Sequence, residues 1–105
     1  MGIKQIRKPL NQFLEEVSKA VKVDQMIVFG SYAEGTATQE SDIDVLVVSD
    51  DFKNIRSDIR LQSLDEAADR IKPDIIATGF TKEELERAGK LTILGQVWTS
   101  GIRFA

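Results

Sequence analysis

The segment VFGSYAEGTATQESDIDVLVV, residues 28–48, constrains the fold of this chain more than any other. An apolar, β-branched run, Gln25–Phe29, stops at Gly30-Ser31, and a second run, Asp42–Val48, follows a stretch of small polar residues. Short apolar runs bounded by Gly and polar residues predict buried β-strands. The sequence therefore predicts two strands joined by a polar loop, with acidic residues at the start of the second strand.

Helical patterns flank these strands. Apolar residues at helical spacing predict a helix from about Lys8 to Val23 and another from about Asp51 to Lys72, where Pro73 blocks its continuation. A third short strand is predicted at Asp74–Thr78, and Thr81–Glu84 fits a capping box that opens a short helix. The order of elements predicts a single α/β domain over residues 1–105.

The tail from Leu91 to Ala105 mixes helix and strand tendencies. Its Trp98, Ile102 and Phe104 are expected to cover the last edge of the core, either as a strand or as a packed lid. The alternative is that these three side chains form a binding surface for another molecule.

Composition limits the chemistry that this chain can perform. The 105 residues include no Cys and no His, which excludes disulfides, thiolate zinc sites and His general bases. Catalysis must therefore rest on carboxylates, hydroxyls, Lys or Arg, with hard metal ions as the natural cofactors. The net charge of −3 argues against tight, nonspecific binding to nucleic acid. Without a long apolar stretch or a signal-peptide pattern, the protein is expected in the cytoplasm.

The Gly-Ser segment is not one of the common nucleotide loops. Gly30–Gly35 has the spacing of the front of a Walker A loop, but Thr36-Ala37 follows where the loop requires a lysine, and a G-x-G-x-x-G pattern is absent. Gly30 lets the backbone approach a ligand closely, and Ser31 offers a hydroxyl and an N–H to a phosphate, especially where a helix begins there. The alternative is a turn that ends the strand with a capping serine.

Three acids lie at the edges of apolar strands. Asp42 and Asp44 are two apart on a strand, so their side chains point to the same face and repel each other unless a cation lies between them. Oxygen ligands favour Mg²⁺ or Mn²⁺. Asp74 opens the next strand and completes a three-carboxylate cluster if that strand lies beside the second. The alternative for the acidic pair is an exposed strand start that binds nothing.

The arrangement Gly30-Ser31, ten residues, Asp42-Ile43-Asp44 resembles the motif of the DNA polymerase β nucleotidyltransferase superfamily. Among its branches the chain is most similar to the minimal nucleotidyltransferases, the MNT domains of the MntA-like antitoxin type. The similarity extends over most of the chain. It implies a polymerase-β-like α/β (α+β) fold, a small mixed sheet flanked by helices.

The resemblance also implies roles for the five motif residues. Gly30 and Ser31 match the pair that binds the triphosphate, and Asp42, Asp44 and Asp74 match the metal-binding, catalytic acids. Two Mg²⁺ ions, or Mn²⁺, would stabilise the attacking and leaving oxygens. The implied reaction transfers a nucleoside monophosphate from a nucleoside triphosphate, with ATP as the expected donor, to a hydroxyl group.

Many relatives carry Arg or Lys where this chain has Glu34, which bears on how the triphosphate is bound. Lys53, Arg56, Lys82 and Lys90 are alternative basic residues for the phosphates. Since MNT proteins pair with HEPN-domain toxins, the resemblance implies an antitoxin that attaches AMP to a HEPN-type partner. The alternatives are a binding module that neutralises its partner by contact alone, and a nucleotidyltransferase for a small molecule of the aminoglycoside type.

Overall fold

The computed structural model describes residues 2–105. These residues contain one four-stranded sheet. Its strands are β1 (Gln25–Phe29), β2 (Ile43–Val48), β3 (Ile75–Phe80) and β4 (Ile102–Arg103). They lie in the order β3-β2-β1-β4; β2 and β3 are parallel, and the other neighbours are antiparallel. The C-terminal end of β1 therefore lies at the same end of the sheet as the N-terminal ends of β2 and β3.

Helices cover both faces of this sheet. They are α1 (Arg7–Ser18), α2 (Ser31–Glu34), α3 (Ser57–Ala68), α4 (Lys82–Arg87) and α5 (Ile93–Ser100), with 3-10 turns at Ile3–Ile6 and Asp50–Phe52. Helices α1 and α3 pack on one face, and α4 and α5 contribute to a smaller cluster on the other. Helix α2 follows β1 directly and begins the connection to β2.

Alternate residues of the strands enter the two clusters. On the side of α1 and α3 lie Met26 and Val28, whereas Ile27, between them, packs with Leu46 and Val48 on the side of α4 and α5. Because both faces are covered, these strands are near-continuous apolar runs in the sequence. Asp44 has the same parity as Leu46 and Val48, so its side chain belongs to the face of the smaller cluster.

The two long helices are shorter than their apolar patterns predict. Helix α1 ends at Ser18, and α3 occupies only the middle of the predicted range. On either side of α3 the backbone leaves the helical region, with φ of 64° at Asn54 and 68° at Arg70. Ile71 maintains the helical spacing but packs into the core from a turn. The predicted capping box is present. The Thr81 hydroxyl accepts a hydrogen bond from the Glu84 N–H, and the Glu84 carboxylate accepts one from the Thr81 N–H.

The tail folds back onto the sheet. Residues Ile102–Arg103 pair with β1, and the Phe104 N–H donates to the Met26 carbonyl over 2.8 Å. Phe104 packs against the larger cluster and Trp98 against the smaller one, while Ile102 remains 40% exposed. The predicted packing at the edge of the core is therefore confirmed for Trp98 and Phe104 but not for Ile102. Within residues 2–105 no helix is both long enough and apolar enough to cross a bilayer.

Candidate active site

The turn at the end of β1 has a backbone conformation that requires glycine. Gly30 has φ 71° and ψ −149°, a combination essentially restricted to glycine, and helix α2 begins at the next residue. The Glu34 N–H donates to the Gly30 carbonyl over 3.0 Å, which closes the single turn of α2. Gly35, at φ 79°, then ends that turn in the left-handed conformation.

This turn lies directly against the second acid of the Asp-x-Asp pair. Phe29, the last residue of β1, pairs with Asp44 across the antiparallel ladder, so Gly30 comes next to the Asp44 side chain. A Cβ atom built on Gly30 would lie 2.2 Å from Asp44 Oδ2. Gly30 therefore serves two purposes: it allows the turn, and it leaves room for the carboxylate. The structure brings these two predicted site residues into contact.

Asp42 and Asp44 interact electrostatically. Asp44 is half-buried, whereas Asp42 is exposed. Burial raises the pKa of the Asp44 carboxyl, and the negative charge of Asp42 raises it further. The ionised form of Asp44 is thus less favourable here than in water. This all-oxygen pair fits a hard divalent cation such as Mg²⁺, which would relieve both effects.

Asp74 lies beside this pair, but its carboxylate binds a lysine. The Ile43 N–H donates to the Asp74 carbonyl over 2.8 Å, where β2 and β3 start side by side. The Asp74 carboxylate accepts a hydrogen bond from Lys72 Nζ at 2.5 Å. This bond to Asp74 raises the pKa of Lys72, and the charge of Asp42 adds to the effect. Lys72 therefore lies close to both acids.

The three predicted acids do not form a metal-binding cluster in this conformation. Among residues 2–105, no three acidic side chains come close enough together to hold one ion. Asp42 and Asp74 nevertheless line the same open cavity together with Lys72. Lys72 contacts only one oxygen of the Asp74 carboxylate, so the other oxygen remains available to a cation.

Lys72 is the functional candidate that the sequence analysis missed. Two of the four basic residues predicted as alternatives form surface ion pairs, Arg56 with Asp58 at 2.7 Å and Lys82 with Glu86 at 3.9 Å. The sequence signal that could have identified it is Lys72-Pro73-Asp74, a lysine two residues before an acid with a proline between them. Helical periodicity had assigned Lys72 to the end of a helix, which concealed it.

Comparison with solved structures identifies the fold. A protein of Sulfolobus solfataricus described as a "putative nucleotidyltransferase" superposes with a TM-score of 0.70 at 21% identity, covering 95% of this chain and 79% of that one. At this identity the likeness establishes the fold alone. It confirms the predicted α/β nucleotidyltransferase fold with a small mixed sheet flanked by helices.

Sequence comparison identifies the family. "Protein adenylyltransferase MntA" of Thermococcus cleftensis is 26% identical over 97 residues, 92% of this chain and 94% of that protein. "Putative protein adenylyltransferase MJ0141" of Methanocaldococcus jannaschii is 35% identical over 54 residues, which span 51% of this chain and only 50% of that protein. The family profile described as a nucleotidyltransferase domain matches residues 10–96. This chain therefore belongs to the nucleotidyltransferase domain family.

Proposed function

We propose that this chain is a Mg²⁺-dependent protein adenylyltransferase that transfers AMP from ATP to a hydroxyl group of a partner protein. The observation that carries the proposal is the contact between Gly30 and Asp44, which sets the Gly-Ser turn against the acidic pair. The names of two archaeal relatives, MntA and MJ0141, support a protein as the acceptor.

The reaction forms one bond to phosphorus and breaks another. The acceptor oxygen bonds to the α-phosphorus of ATP, the bond from that phosphorus to the α–β bridging oxygen breaks, and pyrophosphate leaves with that oxygen. In this proposal Gly30 and Ser31 bind the triphosphate, and Asp42 and Asp44 would hold Mg²⁺, which would neutralise charge on the phosphates. Asp74 takes the proton of the attacking hydroxyl on the carboxylate oxygen that does not contact Lys72.

The proposed partner is a HEPN-type toxin, so that the chain acts as an antitoxin. This assignment follows from the resemblance to MNT domains, and the similarity to a protein named MntA over 92% of this chain supports it. We place the reaction in the cytoplasm, where ATP and such a partner would be available.

One observation favours a second function, neutralisation of the partner by contact alone. The three acids do not converge on one point, and Asp74 pairs with Lys72 instead, an arrangement that a chain without catalytic activity would tolerate. The two functions differ in one property: only the enzyme alters the mass of its partner.

The test compares the wild type with Asp42→Asn plus Asp44→Asn. Each protein is incubated with a HEPN-type partner, ATP and Mg²⁺, and the intact mass of the partner is measured together with complex formation. The wild type should add AMP units, whereas the double variant should bind the partner and add none. Asp65→Asn plus Glu66→Gln, the same charge change on exposed positions of α3, should behave as the wild type. If the double variant protects cells from the toxin as well as the wild type does, the enzymatic proposal is wrong.

A further inference from the structure

A second cavity, separate from the acids, lies between α2 and α5. Its volume is about 290 Å³, at the lower end of the range for small-molecule sites. Gly30 and Ala33 form the wall on the side of α2, together with Glu34. Helix α5 contributes Gln96 and Ser100, which lie on one helical face with Ile93 at the mouth.

The lining of this cavity suits an uncharged ligand that has hydrogen-bonding groups. Among the described residues the Gln96 amide and the Glu34 carboxylate form no side-chain hydrogen bond or ion pair, and both are exposed. No Lys or Arg is among the described residues that line the cavity. The carboxylate of Glu34 would repel a phosphate, so the cavity is unsuited to the triphosphate itself.

The mouth of the cavity carries an apolar side chain that the fold leaves uncovered. Ile93 is 82% exposed, although it starts a helix whose following turns pack onto the sheet through Leu94 and Val97. An exposed isoleucine beside an amide and a carboxylate matches a flat, partly polar ring system that has apolar faces and hydrogen-bonding edges.

Gly30 connects this cavity to the acidic site. It lines the cavity and also contacts Asp44, so a ligand with its phosphates at Gly30 would have its other end within reach of α5. We propose that the α2–α5 cavity binds the nucleoside of the triphosphate substrate, an inference that rests on the proposed function. Gln96 and Glu34 hydrogen-bond to the base edge and the ribose hydroxyls, and Ile93 covers a face of the base. Glu34 thus acts at the nucleoside, where the absence of a basic side chain is an advantage.

The test separates binding of the nucleoside from binding of the phosphates. Calorimetry measures the affinity of the protein for ATP and for inorganic tripolyphosphate, both with Mg²⁺. Gln96→Phe fills the cavity with an aromatic ring and should weaken ATP binding by about tenfold, while tripolyphosphate affinity should change by less than about twofold. Thr99→Phe, on the same helix but outside the cavity, should leave both affinities unchanged.

A second pair of variants alters the mouth instead of the interior. Ile93→Ser removes the apolar cover and should weaken binding of ATP but not of tripolyphosphate. Leu91→Ser is its control, since Leu91 is 95% exposed and lies outside the cavity lining.

Each unfavourable outcome has a defined meaning. If the wild type binds ATP no more tightly than tripolyphosphate, the nucleoside makes no contact and the cavity inference is wrong, while the proposed function stands. The cavity inference is also wrong if Gln96→Phe and Thr99→Phe bind ATP equally well. A wild-type protein that binds neither compound would contradict the proposed function itself.

Discussion

At the scale of single residues, the site depends on the proximity of Gly30 and Asp44. The turn after β1 has a positive φ, and the nearest atom to a hypothetical Cβ belongs to the Asp44 carboxylate. The glycine could be predicted from the sequence as a place of close backbone approach. The neighbour that it approaches could not, because the pairing of Phe29 with Asp44 depends on the register of two strands separated by a long loop.

Gly30→Ala should therefore affect both stability and catalysis. The new methyl group must displace the Asp44 carboxylate, and the backbone strain should lower the free energy of unfolding by about 1–3 kcal/mol. A displaced carboxylate should reduce AMP transfer by about a hundredfold. Urea unfolding and a transfer assay measure the two effects.

Gly35→Ala is the matched control for this substitution. Gly35 also has a positive φ, 79°, but a Cβ atom there would meet no atom within 4 Å. This variant should lose about 1 kcal/mol from backbone strain alone and retain transfer. Equal activity of the two variants would show that the contact with Asp44 has no catalytic importance.

Asp44→Asn should stabilise the metal-free protein at neutral pH. Burial and the neighbouring Asp42 raise the pKa of Asp44, so the folded state binds a proton at this carboxyl more tightly than the unfolded state does. The ionised carboxyl therefore destabilises the fold at neutral pH, and lowering the pH through the folded-state pKa removes that cost. The melting temperature of Asp44→Asn should exceed that of the wild type at pH 7, and the difference should shrink in acid. A variant less stable at pH 7 would contradict this account.

At the scale of elements, one buried arginine joins α3 to the segments on either side of it. The side chain of Arg60 is 7% exposed and donates to the Phe52 and Ile55 carbonyls, to the Gly79 carbonyl of β3 and to Glu84 of α4. Its guanidinium also lies 5.5 Å from the centre of the Phe52 ring. This network links β3, the strand that follows Asp74, to α3 and α4.

Arg60→Met should be strongly destabilising. It removes one donor from each of three carbonyls and from the Glu84 carboxylate, of which the Phe52 carbonyl keeps the Ile55 N–H and Glu84 keeps the Thr81 N–H. The loss should reach about 2–3 kcal/mol in urea unfolding. Arg56→Met removes an arginine of the same region that pairs with Asp58 at the surface, so it should cost no more than about 1 kcal/mol. Similar losses in the two variants would show that the buried network does not stabilise the fold.

The sequence predicts the elements of this fold better than it predicts their ends. The strand Gln25–Phe29 and the capping box at Thr81 are in place because local chemistry determines them. The predicted helix ends are wrong because apolar side chains at helical spacing, such as Ile71, can also pack into the core from residues outside a helix. The network of Arg60 could not be predicted, since its partners Gly79 and Glu84 are distant in sequence. The ion pair between Lys72 and Asp74 was not predicted, because the apolar spacing assigned Lys72 to the end of a helix.

At the scale of the whole molecule, an acidic chain presents an acidic site to an anionic substrate. The net charge is −3, and the end of the sheet where β1 meets β2 and β3 carries Asp42, Asp44 and Asp74. Such a surface repels a bare triphosphate but accepts one that arrives with divalent cations. Binding of ATP should therefore depend on Mg²⁺ more steeply than it would at a site where basic side chains outnumber acidic ones.

The central claim is that these residues transfer a nucleotide and not a phosphate. The direct test incubates the protein with Mg²⁺, a HEPN-type partner, and ATP labelled at either the α- or the γ-phosphate. The account predicts that the partner retains the α-label and none of the γ-label, because pyrophosphate carries the γ-phosphate away. Transfer of the γ-label, or no transfer of either label to a partner that is firmly bound, would contradict it.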